Sequence, residues 1–284
     1  MRSRFRLQLP NRTLELGKKT LIMGILNVTP DSFYDGGAHL QTDQAVKHGL
    51  QLEDKGANLV DVGGESTRPN RPGSVRATDE IQRIVPVIEQ LAKRLTIPIS
   101  VDTYKSEVAR RAITAGASVV NDISGLRFDP HMAACAASTG AAIVLMHSRG
   151  GPQKLHGLPA LRRPLQSVLQ GLQHSVNRAL QAGIPRNRII LDPGLGFGKR
   201  VEDNLIVLRR LEVLNRFQLP ILVGPSRKSF IGNLLKLPVE QRLLGSLAST
   251  AVAVIQGAHI IRVHDVQETR QVVQMCDAIM GFSR

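Results

Sequence analysis

One pattern recurs along the chain and limits its fold more than any other: a short, β-rich apolar run that closes on polar chemistry. It is present in Leu21-Ile-Met-Gly-Ile-Leu-Asn27, Asn58-Leu-Val-Asp61-Val-Gly-Gly64, Ile97-Pro-Ile-Ser-Val-Asp102 and Ser118-Val-Val-Asn121-Asp122. It returns in Ala142-Ile-Val-Leu-Met146-His147, Ile189-Ile-Leu-Asp192, Pro220-Ile-Leu-Val-Gly-Pro-Ser226-Arg-Lys228 and His259-Ile-Ile-Arg262-Val-His264. Amphipathic segments long enough to be helices lie between most of these runs, and strands alternating with helices imply parallel pairing through right-handed crossovers. About eight such units in a chain of this length is the count of an α/β (β/α)8 TIM barrel, with an open doubly wound sheet as the alternative. Catalytic groups of a barrel gather at the carboxyl ends of its strands, where the polar residues of this chain fall.

The turn after Asp192 reads Pro193-Gly-Leu-Gly-Phe-Gly-Lys199. Its glycines fit neither G-x-G-x-x-G, whose third glycine falls on Lys199, nor a phosphate loop, whose first falls on Pro193. Nucleotide-binding folds lose ground accordingly. The whole chain, 1–284, is expected to be one domain, since barrels routinely reach this size, and a hydrophobic fraction of 42% can fill its core. Trp is absent and aromatics make up 3%, which leaves Leu, Ile, Val and Ala to build the interior. Cys135 and Cys276 lie far apart on segments that read as helical, so neither a disulfide framework nor a metal cluster is indicated. No apolar run approaches membrane length and no signal-peptide core is evident, so a cytosolic (cytoplasmic) protein without a membrane partner is expected. The net charge of +14 would suit a nucleic-acid partner, but the basic residues are scattered and no aromatic-interleaved RNA motif accompanies them. Small anionic substrates are the better expectation.

Ahead of the first barrel strand, Phe5–Leu9 and Leu14–Leu16 alternate around the turn signal Pro10-Asn11. Residues 1–18 are therefore read as a β-hairpin capping the barrel bottom. A helix from Asp43 to about Lys55 should turn Val46, Leu50 and Leu52 inward. Another, from Thr78 to about Leu95, is expected to use Thr78 as its cap, with Asp79 and Glu80 in the first turn. Further helices are read at Leu161 to about Ala182, closed by Gly183, and at Val266 to about Met280. The small residues of Gly245–Val254 allow close packing, as at a dimer face.

Taken together, the motifs resemble the dihydropteroate synthase family of the folate pathway. They are Met23-Gly-Ile-Leu-Asn27-Val-Thr-Pro-Asp-Ser-Phe33, Asp61-Val-Gly-Gly-Glu-Ser-Thr67-Arg68-Pro69, Ile99-Ser-Val-Asp102-Thr, Val120-Asn121-Asp122, Leu145-Met146-His147, Leu191-Asp192-Pro-Gly-Leu-Gly-Phe197-Gly-Lys, Val223-Gly-Pro-Ser226-Arg-Lys228 and Arg262-Val-His264-Asp. The resemblance implies condensation of 6-hydroxymethyl-7,8-dihydropterin diphosphate with 4-aminobenzoate through a dissociative pterin cation, Mg2+ as cofactor, and a homodimer. It implies a pterin pocket of Asp102, Asn121, Met146, Asp192, Lys228 and Arg262. Carboxylates suit the amino and ring N–H donors of a reduced pterin, and Met packs well on a ring. Asn27, Arg262 and His264 are implied for the diphosphate, with Asn27 at the metal. Phe33, Thr67, Arg68, Pro69, Phe197, Ser226 and Lys228 are implied for the aminobenzoate. His147 is read as orienting a neighbouring loop.

Two departures from the family pattern stand out. After Pro69 the chain reads Asn-Arg-Pro72-Gly73-Ser, about one residue longer than the commoner form, and Met146-His147 is followed by Ser148 where members often have Met. The longer loop adjoins the implied aminobenzoate pocket, which makes tolerance of the bulkier sulfonamides an expectation. A pterin-binding methyltransferase is the alternative enzyme, although Ser226-Arg-Lys228 and Ser66-Thr67-Arg68-Pro69 resemble synthase signatures. A catalytically inactive basic binding module is the non-enzyme alternative, against which the intact set Asn27, Asp102, Asp192, Lys228, Arg262 and His264 argues.

Overall fold

Every apolar run named above becomes a strand of one sheet in the computed structural model, which describes residues 2–29, 38–65, 75–151 and 158–282. The chain starts with the hairpin β1 (Phe5–Gln8) and β2 (Thr13–Leu16), paired antiparallel with Phe5 opposite Leu16. The barrel strands follow as β3 (Leu21–Asn27), β4 (Leu59–Gly63), β5 (Ile99–Asp102), β6 (Val119–Asp122), β7 (Ala142–Met146), β8 (Ile189–Asp192), β9 (Leu222–Val223) and β10 (Ile260–Val263). All pair in parallel, in the order β8-β7-β6-β5-β4-β3-β10-β9. A parallel bridge between Leu191 and Ile221, with the Leu191 N–H donating to Pro220 O at 2.9 Å, joins the two outer strands and closes the ring. The expected (β/α)8 barrel is thus the observed one.

Helices α1 (Ala38–Asp54), α2 (Ala77–Ala92), α3 (Ser106–Thr114), α4 (Met132–Thr139), α5 (Pro164–Gln181), α6 (Val201–Arg209), α7 (Ser229–Leu235), α8 (Leu243–Ile255) and α9 (Val266–Ile279) pack outside it. Outward strand residues such as Val62, Val101 and Val120 join Val46, Leu52, Ile84 and Ile88 in the layer between sheet and helices. Inward residues form a second core. There Leu7, Leu9 and Leu16 of the hairpin segment lie with Met23, Leu59, Val144, Ile190 and Ile260, so the hairpin does plug the barrel floor. Both cysteines are buried and free. No helix of the described residues is long and apolar enough to cross a membrane.

Helix ends depart from expectation in three places, the first being α1, which begins at Ala38, ahead of the expected Asp43. Thr78 is not a cap: α2 begins at Ala77 after Arg76, which makes no side-chain cap and instead grips Asp79 through two hydrogen bonds of 3.0 and 2.9 Å. Arg76 can satisfy that carboxylate from outside the helix, leaving Thr78 an ordinary first-turn position. Helix α5 starts at Pro164, not Leu161, because proline suits a first turn, where its missing N–H is not needed. Its far end is as read, with Gly183 at φ +86° just past Ala182.

Candidate active site

Parallel strands of a closed barrel all point their carboxyl ends at one rim, so side chains from distant stretches converge there. Asp102, Asn121, Met146, Asp192, Phe197, Lys228 and Arg262 line one cavity, together with Ile123, Gly194, Leu195 and Gly224. Register explains the convergence: Asp102 pairs with Gly63 and Asn121, and Met146 with Asp192. Ile123, Met146 and Phe197 form a small apolar cluster that gives the cavity one oily wall. Asn27, at the end of β3, and Ser226 and His264 belong to the same rim but do not line this cavity. Phe33, Thr67, Arg68 and Pro69 lie outside the described residues.

Charged groups fill the rest of the wall. Arg262 donates from Nε to Asp61 Oδ2 and from Nη2 to Asp102 Oδ2, each at 2.6 Å, and Asn121 Nδ2 donates to the same Asp61 oxygen at 2.9 Å. Burial opposes the charge of Arg262, yet Asp61 and Asp102 outweigh it and raise its pKa. Burial pushes Asp102 up to about 7, Arg262 pulling it down and Asp61 pushing it further up. Asp192 is likewise raised by burial, although it accepts from the Gly194 N–H at 2.6 Å. Lys228, its ammonium 4.2 Å from the centroid of the Phe197 ring, is lowered to about 8 by burial and by Arg262. Acceptors of adjustable charge and one ready donor therefore face a shared space. Such a site matches an amide-edged heterocycle.

The Gly194–Gly198 turn has a specific cause. Gly194, Gly196 and Gly198 all have positive φ, and a Cβ at Gly194 would stand 2.0 Å from His147 O. The curled backbone directs carbonyls at the buried Lys199, whose Nζ donates to Gly194 O at 2.8 Å and His147 O at 3.1 Å. Burial lowers Lys199 to about 7, with Asp192 opposing the drop. His147 donates its backbone N–H to Asp192 O at 2.9 Å, and its ring lies against Gly171, where a Cβ would come within 2.5 Å. Burial holds its ring neutral, with a pKa of about 2.

Ser226 and His264 form a pair. The His264 N–H donates to Ser226 Oγ at 3.2 Å, and that oxygen lies 3.0 Å from His264 Nδ1. A hydroxyl proton directed to Nδ1 would place the imidazole proton on Nε2. Burial and Arg262 lower His264 to about 3, so it works uncharged. Next to this pair Arg227 adopts φ +55°, held by its own N–H on Ser246 Oγ and by a two-pronged ion pair with Asp265 at 2.6 and 3.0 Å. That kink turns Lys228 toward the cavity.

Three groups that sequence reasoning left out of the site proved central to its wiring. Asp61 was visible as an acid inside the apolar strand Leu59-Val-Asp-Val, an anomaly that by itself signals a buried partner. Lys199 entered as a misfit to nucleotide motifs and as the last residue of a family-like motif, with no role in the site. Lys105 bridges Glu65 and Glu80, at 2.5 Å to the latter. Glu65 also accepts from Tyr104 OH and from the Val75 N–H, so residues flanking segment 66–74 are tied to α2 and to the start of α3. No local spacing links these three residues.

The fold and cavity define a barrel enzyme of the pterin-binding class, and the family model described as "Pterin binding enzyme" matches residues 23–264. The chain is 45% identical over 268 residues to dihydropteroate synthase of Bacillus subtilis, spanning 94% of this chain and 91% of that one. Xanthomonas albilineans dihydropteroate synthase, solved with 4-aminobenzoic acid, superposes with a TM-score of 0.91 at 40% identity, covering 98% of this chain and 99% of that one. A Clostridium difficile dihydropteroate synthase solved with pteroic acid gives 0.88 at 43% identity, covering 93% and 98%. The chain belongs to the dihydropteroate synthase family.

Proposed function

We propose that the enzyme condenses 6-hydroxymethyl-7,8-dihydropterin diphosphate with 4-aminobenzoate to give 7,8-dihydropteroate and diphosphate. The observation carrying this reading is the single cavity shared by Asp102, Asn121, Asp192, Lys228 and Arg262 beside an oily wall. It is supported by the two relatives solved with 4-aminobenzoic acid and in the presence of pteroic acid. Asp192 and Asp102 accept from the pterin amino and ring N–H groups, Asn121 offers both a donor and an acceptor, and Lys228 donates to the ring carbonyl. Met146 packs on the ring face. The methylene–oxygen bond then breaks with its electron pair leaving on the diphosphate. Arg262 and His264 Nε2–H meet that charge. Carboxylates around the ring stabilise the cation until the arylamine nitrogen attacks and its proton is released to solvent. No activated nucleophile is required. Phe197, Ser226 and Lys228, with Phe33, Thr67, Arg68 and Pro69, receive the aminobenzoate in this reading.

Mg2+ belongs to the same proposal. The described residues contain no cluster of three or more His, Cys, Asp or Glu able to hold a metal, and Asn27 offers one hard amide oxygen at the rim. That donor set fits an ion carried mainly by phosphate oxygens and water, which is how Mg2+ is usually bound. When bound it neutralises departing charge. The assay is formation of dihydropteroate from the pterin diphosphate and labelled aminobenzoate; absence of product at saturating substrates sinks the reading.

Two finer readings attach to it. The longer loop around Pro72-Gly73 supports sulfonamide tolerance, checked by measuring the sulfamethoxazole inhibition constant against that of the Bacillus subtilis relative at matched aminobenzoate. Equal constants end that idea. A homodimer is supported by apolar side chains left uncovered on α8 and α9: Leu244 is 78% exposed, Met275 63% and Ile279 69%. Leu244→Glu is expected to yield monomer in sedimentation runs where the parent is dimeric.

A further inference from the structure

Asp61 lies at the centre of β4, fully buried, and does not line the cavity. It pairs with Ser100, whereas Gly63 pairs with Asp102, so Asp61 sits one inward position closer to the barrel floor than the pocket carboxylate. Its Oδ2 is shared by Arg262 Nε and Asn121 Nδ2, while Oδ1 meets no protein donor among the described residues. A carboxylate buried with one oxygen unmet lowers stability, because desolvation of that oxygen goes uncompensated. Its value must lie in what it does to its neighbours.

Arg262 divides itself between two carboxylates of different access. Asp102 lines the cavity with 15% of its side chain exposed, and Asp61 has 0%. A pterin that uses Asp102 as its acceptor competes with Arg262 for that carboxylate, whereas the inner pair with Asp61 lies out of its reach. Building on the synthase reading above, we propose that Asp61 is a positioning residue, touching neither substrate, that holds Arg262 and Asn121 in register when Asp102 is given over to the pterin. It serves charge as well as geometry. Asp102 and Asp192 face Lys228 and Arg262 around the cavity, and Asp61 adds the further negative charge that favours a cationic pterin methylene.

The experiment is Asp61→Asn in the full chain, which keeps shape and removes charge, assayed beside the parent. We expect kcat to fall about 10- to 100-fold, the worth of a charge-assisted hydrogen bond. The KM for 4-aminobenzoate should stay within about threefold of the parent's. The thermal midpoint should fall as well, since neutralising one partner of a buried ion pair is destabilising, so the deciding readouts are the split between kcat and KM and the pH profile. The acid limb of the kcat/KM profile should also move to lower pH, because Asp61 helps hold Asp102 up; Arg262 and Lys228, which pull it down, and Glu80, which pushes it up, all remain. A purely structural role would leave that limb in place. Parent-like turnover, or lost turnover with an unmoved limb, overturns the proposal. Should the Asn variant fail to fold, Asp61→Ser is assayed with and without formate: recovery by formate supports the proposal, and no recovery, or parent-like turnover without formate, overturns it. An inert parent would instead sink the synthase reading, so the two failures are distinct.

Discussion

Asp192 shows how much one carboxylate is constrained. It sits 5% exposed at the tip of β8, fixed by the Gly194 N–H at 2.6 Å and faced by Lys228, and burial raises its pKa. Asp192→Asn keeps the turn but replaces one acceptor oxygen with a donor aimed at donors. The variant should lose about 10- to 100-fold or more in kcat/KM for the pterin substrate with little change in melting point; steady-state kinetics and a thermal melt together check this. At this scale the sequence was legible wherever a polar residue ended an apolar run, because a strand end in a parallel barrel has one place to point. It was illegible where the polar group lay inside a run or reached its partners through loops. Asp61 is bonded to Arg262, 201 positions away, and the carbonyls around Lys199 come from a backbone path that no spacing rule describes.

Elements add a different kind of constraint. The first turn of α2 carries Glu80, where an acid favours a helix N-terminus, and there it is buried and paired with Lys105. Burial raises Glu80, and Lys105 opposes that rise. Lys105→Met should leave Glu65 and Glu80 facing each other without their shared cation. Removing one partner of a buried pair costs about 3–5 kcal/mol, so a lower denaturation midpoint is expected. A midpoint equal to the parent's would show the triad to be dispensable. The same network explains the misread cap at Thr78: α2 is held at its start by Lys105 on Glu80 and by Arg76 on Asp79, so local capping chemistry was not needed. Strand order, by contrast, followed from alternation alone, because each crossover helix forces its neighbours to be parallel.

The molecule as a whole is closed at the floor by hydrophobic packing and by His259. Its Nδ1 accepts from the Ile221 N–H at 3.1 Å, its Nε2 lies 3.1 Å from Ser3 O, and its ring meets Phe5 edge-on. Burial lowers its pKa to about 4. Between the ordinary histidine value of about 6.5 and that figure the unfolded chain binds a proton that the folded chain refuses. The contribution of His259 is therefore complete above pH ~6.5 and falls as the pH drops toward 4. His259→Gln, which cannot titrate, should gain on the parent by about 1.4 kcal/mol per pH unit across that window; urea melts at several pH values check it, and a constant difference would refute it. Raised carboxyls such as Asp102 act in the opposite direction, so the comparison with the variant is the informative quantity. Arg2 completes the floor, with its guanidinium 3.5 Å from Asp277, bonded to Thr20, and 4.2 Å from the ring of Phe282. The first and last described residues therefore touch beneath the barrel, facing away from the mouth. A short peptide linking Arg2 to Phe282 across that contact, in a chain reopened elsewhere on the floor, should leave the entrance unobstructed.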